Sequence, residues 1–118
     1  MALDLTEYRV LSAIRNRQTY LKYLSILNKD LFETSQTKFI YNLVTNYHQQ
    51  HKNDTLTIRS LRVLLLSNIK PTEQGNYRGL ISRIKKGIIK DPSVVDDVMK
   101  MFVKRQLLKQ AINGALDS

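Results

Sequence analysis

His48 and His51 stand three residues apart, a spacing that lets two imidazoles on one helix face reach a single metal ion. Asp54 is the only carboxylate close by in sequence, and the chain has no cysteine. A metal site needs at least a third ligand. Polar residues at a helix C-terminus, where a cation is favoured, account better for the pair. Asp96 and Asp97 are adjacent. Neighbours on a helix diverge by about 100°, so these two cannot form a facing acid–base pair. Negative charge at a helix start explains them. No G-x-x-x-x-G-K-[ST] run is present, and Gly75-Asn76-Tyr77-Arg78-Gly79 has the wrong spacing for a dinucleotide fingerprint. The absence of cysteine excludes a thiol nucleophile and a disulfide framework. The expectation is a chain with no catalytic site, no cofactor and no metal.

The chemistry that remains is charge. Lys and Arg number 19 against 10 Asp and Glu, a net +9 over 118 residues. Twelve basic and five acidic groups lie after residue 58, which places +7 of the balance there. Arg78, Arg83, Lys85, Lys86 and Lys90 occupy a stretch with no acid. A solvated outer helix face is one account of them. A face that contacts phosphates, or an acidic partner surface, is the other. Ordinary surfaces mix signs, so the missing acid brings the second level with the first. Tyr77 falls on the apolar stripe rather than among these cations, so a stacking platform for single strands is not supported. Nor is there a helix-turn-helix signature.

These groups need elements to carry them. Four glycines, two prolines and 42% apolar residues suit an all-helical chain of one domain. Helices are expected at about Thr6–Asn16 and Thr19–Leu27. Ser35 is the expected cap of a third helix ending near His51, with Phe39, Ile40, Leu43, Val44 and Tyr47 on its inner face. Thr57 caps a fourth, with Ile58, Leu61, Leu64 and Leu65 inward. A fifth covers about Thr72–Ile89, with Tyr77, Leu80, Ile81, Ile84 and Ile88 inward. Asp91-Pro92 is a strong start signal for a last helix to about Ala115. The fold class is all-α: a compact bundle of about five or six helices, globular over about 1–90, ending in a long helix over about 92–116. That helix spans about 36 Å.

Its stripe reads Val98, Met101, Phe102, Arg105, Leu108, Ile112 and Leu116, and a second face carries Leu107 and Ala111. Both sides could pack within the small bundle, but a long helix apolar on two sides more often wants a partner beyond its own domain, and residues 108–116 reach past the shorter helices. Val98, Met101, Phe102, Arg105, Leu108 and Ile112 are therefore the candidates for self-association or partner docking. No segment has the apolar length of a membrane span, and the N-terminus lacks a signal peptide's basic and apolar regions. A cytoplasmic protein is the expectation.

Val10-Leu11-Ser12-Ala13-Ile14, Tyr20-Leu21, Asp30-Leu31-Phe32-Glu33, Lys38-Phe39-Ile40-Tyr41, Tyr47-His48 and Thr57-Ile58-Arg59-Ser60-Leu61 follow one another in an order that resembles the N-terminal domain of DnaB-type replicative DNA helicases, closest to those of tailed phages. The closing segment from Phe102 to Ile112 is similar to the helix that leads toward that family's linker. The likeness covers nearly the whole chain, and the family's ATPase domain with its Walker motifs is not in it. An excised domain is one reading and a stand-alone relative the other; the end shortly after Gly114, where a linker would begin, favours the first. The resemblance implies a non-catalytic scaffold that assembles into dimers or rings and docks primase or a loader, with DNA passing through the assembled ring. A stand-alone basic nucleic-acid-binding protein is the alternative, and a helicase-mimicking regulator a third.

Overall fold

Asn16 decides how the chain enters its bundle. Its side-chain Oδ1 accepts the Thr19 N–H at 3.1 Å, so it caps a second helix instead of continuing the first. The computed structural model describes residues 6–52 and 55–117, with side chains to residue 113. Its helices are α1 (Thr6–Ala13), α2 (Arg17–Tyr23), α3 (Ser35–Gln50), α4 (Ile58–Ser67), α5 (Gln74–Lys86) and α6 (Pro92–Asp117). Single turns of 3-10 helix stand at Lys29–Leu31 and Pro71–Glu73. The all-α bundle closed by a long helix is the observed architecture. Among the described residues no helix is long and apolar enough to cross a membrane.

The start signals explain most of these elements. Thr57 accepts the Ser60 N–H at 3.1 Å, and Asp91 accepts the N–H and the hydroxyl of Ser93 at 3.0 and 2.8 Å. Those bonds hold the Asp91 carboxyl below its ordinary range. Thr34, rather than Ser35, caps α3, in a reciprocal box with Thr37. The inner face of α3 is turned from the one expected. Thr37, Ile40, Tyr41, Val44 and His48 are buried, whereas Phe39, Leu43 and Tyr47 sit at the rim. Tyr41 and His48 have modest hydropathy, which hid them from a count of apolar residues. Helix α5 stops at Lys86, so Ile88 leaves the inner stripe and is exposed.

Helix α1 lies at the centre, against both α5 and α6, and α4 packs on α5. Phe32 fixes the base of the core. Its ring centroid is 5.0 Å from that of Tyr41 and 5.2 Å from that of Phe102. Helix α6 does not stand off a globular 1–90 unit. Its first half, with Val98, Met99 and Phe102, belongs to the same core.

Gly87 closes α5 against the backbone of α1. A Cβ built there would lie 3.1 Å from both the Tyr8 carbonyl oxygen and the Arg9 nitrogen. Backbone of a packed helix cannot give way as a flexible side chain can. Gly87→Val is expected to cost about 1–3 kcal/mol in urea denaturation, whereas Gly79→Ala, with open space around it, is expected to stabilise.

Candidate functional site

The histidine pair is taken apart by the fold. His48 is buried with its ring stacked on Tyr20 at 4.6 Å, and His51 is exposed. Nε2 of His48 lies 2.7 Å from the Ile14 carbonyl oxygen, which can only accept, so this nitrogen carries the proton. Nδ1 is then an acceptor, buried without a partner. Asp54 lies outside the described residues. Arg17 donates to the His48 and His51 carbonyls at 2.5 and 2.8 Å, closing the C-terminal end of α3 with a cation.

Burial holds the His48 imidazole below its ordinary value of 6.5, and the nearby Arg17 charge pushes the same way against the opposing Ile14 carbonyl bond. The unfolded chain therefore takes up a proton at a pH where the folded chain does not. The stability that neutral His48 contributes is complete above pH 6.5 and is lost as pH falls below it toward the lowered folded value. The slope is at most about 1.4 kcal/mol per pH unit. Urea unfolding at pH 7.5 and pH 5.5 checks this. The loss seen in the wild type is expected to shrink in His48→Phe, and an unchanged loss would assign it elsewhere.

The stripe of α6 divides between core and surface. Val98 and Phe102 are corrected from docking residues to core residues: Phe102 is only 3% exposed and packs on Phe32. The inner face continues with Gln106, whose amide donates to the Leu31 carbonyl at 2.6 Å, and Gln110, which donates to the Asp30 carbonyl at 3.0 Å. Lys109 pairs with Glu33 at 2.5 Å. Turned outward are Met101, Leu108 and Ile112, at 43, 59 and 52% exposure, with Arg105 between them. Met101, Arg105, Leu108 and Ile112 follow spacings of four, three and four, the seam of a coiled coil. Leu107, also exposed, stands about 100° round the helix from Leu108. The side chain of Leu116 lies outside the described residues.

At its N-terminal end α6 is acidic and tied to α2. Asp96 accepts from the Tyr23 hydroxyl at 2.6 Å and pairs with Lys100 at 2.8 Å. The Lys100 and Tyr23 bonds keep the Asp96 carboxyl below its ordinary range. Burial and that same bond push the Tyr23 phenol up to about 12. Asp97 is exposed.

The five sequence-singled cations do not converge. Arg83 turns inward, donating to the Tyr8 hydroxyl at 3.2 Å with its guanidinium 5.6 Å from the ring centroid, and so leaves the basic face. Arg78 and Lys85, seven residues apart, share one exposed side of α5, while Lys86 points about 100° away from Lys85. Lys90 is exposed beyond the helix end. Arg62 of α4, which the sequence reading passed over, meets Arg78 across a cleft of about 340 Å³ that also includes Leu66. Its place on the outer side of α4 follows from helical spacing, but its neighbour does not. From Arg59 to Lys90, eight basic residues stand with one acid, Glu73.

No protein-family model matches the chain, and no curated protein and no solved structure matches it.

Proposed function

We propose that the chain is a non-catalytic helical scaffold domain that associates with a second copy through the outward seam of α6. This is the role implied by the resemblance to the N-terminal domain of a phage-type replicative helicase. The observation that carries the reading is the exposed run Met101, Leu108 and Ile112, spaced as a coiled-coil seam on a helix whose opposite side is already anchored in the core. An antiparallel pair is favoured because it opposes the two helix dipoles. Docking of primase or a loader would use surface that such a pair leaves open. Sedimentation across a range of concentrations tests the association. A monomer at every concentration rejects it.

The strip made by Arg62, Arg78 and Lys85 favours a second reading, in which the domain also contacts nucleic-acid phosphates. Three contacts predict weak binding by one copy and stronger binding by an assembly. Fluorescence anisotropy with single-stranded DNA at two salt concentrations checks it. Arg78→Glu with Lys85→Glu is expected to abolish the salt-dependent part, while Arg83→Gln leaves it in place.

A further inference from the structure

Arg15 is the one strongly buried cation among the described residues, 9% exposed at the end of α1. Its Nη1 donates to the Leu56 carbonyl at 2.9 Å and its Nη2 to the Ser12 hydroxyl at 3.3 Å. Its Nε is buried with no partner. No carboxylate among the described residues pairs with it. A buried charge is ordinarily compensated by an opposite one, and leaving it uncompensated is costly.

Arg15 lines a cleft of about 390 Å³ between the α1–α2 connection and the start of α6. That volume lies at the small end of the range for small-ligand sites. The polar wall includes Ser12, Asn16 and Thr19; the apolar wall includes Ile88, Ile89 and Val95. A shallower groove shares Gln18, Thr19, Pro92 and Val95 with it and continues to Lys22. Each terminal nitrogen of Arg15 has one of its two N–H groups engaged, which leaves one on each. A guanidinium N–H makes a charge-assisted bond to a carboxylate oxygen. A phosphate dianion is matched less well, because among the described residues no second cation lines the cleft itself.

We propose that this cleft binds an aliphatic carboxylate, its charged end on Arg15 and the Ser12 hydroxyl and its apolar body on Ile88, Ile89 and Val95. Two sources share that chemistry: a free short-chain acid, and the C-terminal residue of a peptide. The site is independent of the α6 seam and of the basic strip.

The test uses the isotopically labelled chain, titrated with butyrate and separately with butyramide, reading amide resonances at Ser12, Asn16, Thr19 and Val95. Saturable shifts with butyrate, at an affinity about tenfold or more above that of butyramide, are expected. Equal effects of the two, or shifts confined to the lysines of α5, overturn the proposal. Two arms assign the source: N-acetyl-Gly-Val with a free C-terminus, and the same peptide amidated. A free peptide that binds tighter than butyrate identifies a chain terminus; a free peptide that binds more weakly identifies a small acid. Arg15→Gln risks the fold, so the decisive variant is Thr19→Glu. Position 19 is the third of α2, where Glu suits a helix start. Its carboxylate stands in the cleft and is expected to weaken butyrate about tenfold or more. Thr19→Gln, which adds bulk without charge, is expected to weaken butyrate less than Thr19→Glu does. Equal affinity in Thr19→Glu and wild type overturns the site.

Discussion

Phe102→Ala is expected to lower the unfolding free energy by about 3–5 kcal/mol, a large part of the roughly 5–15 kcal/mol that holds a domain of this size. The ring is 3% exposed and stacks at an angle on Phe32, 5.2 Å between centroids. Phe32 in turn meets Tyr41 of α3, so one side chain on α6 ties the last helix to the turn before α3 and to α3 itself. Truncation leaves a cavity that rigid neighbours fill only in part. Phe102→Asp adds an unpaired buried charge and is expected to leave the chain unfolded at room temperature. Urea denaturation followed by circular dichroism measures the first, and a helical spectrum lost without denaturant reports the second. A Phe102→Ala protein within about 1 kcal/mol of wild type would show that the first half of α6 rests on the bundle without holding it.

That expectation reverses the reading of Phe102 available from sequence, and the reason is geometric. Helix α6 carries apolar residues on more than one side, and periodicity cannot say which side the bundle covers. The choice is made by residues far away. Gln106 belongs to the inner face because the Leu31 carbonyl, 75 positions earlier, waits for its amide. Helix starts were legible where a local side chain supplies the cap, as at Thr57 and at Asp91 before Pro92. Asn16 also caps locally, but the apolar spacing of α1 runs up to it and masks the break, which is held from outside as well. The Leu56 N–H donates to the Arg15 carbonyl at 2.8 Å, pinning the α1–α2 connection to the segment before α4. The basic excess was legible as composition, yet its grouping was not. Arg83 is drawn inward by Tyr8, and Arg62 joins Arg78 only because α4 packs on α5.

Leu108→Asp combined with Ile112→Asp is expected to weaken self-association by about a thousandfold while leaving the fold intact. Both side chains are more than half exposed in the single chain, so their replacement removes little burial there, and unfolding should shift by no more than about 0.5 kcal/mol. The effect on pairing is larger because a two-fold interface uses every residue twice. Burying the exposed half of one such side chain is worth about 1 kcal/mol, which gives about 4 kcal/mol over the four side chains of a pair. Each 1.4 kcal/mol is tenfold in affinity. Leu107→Asp separates a seam from general stickiness. Leu107 is as exposed as Ile112 but lies off the four-three spacing, so its replacement is expected to cost less than tenfold. Sedimentation velocity over a hundredfold concentration range reads all three proteins on one scale. Equal losses in the double variant and in Leu107→Asp would mean that the pair forms on a broad apolar surface without a register. No loss in either would remove α6 from the interface and leave its outward face to a different protein.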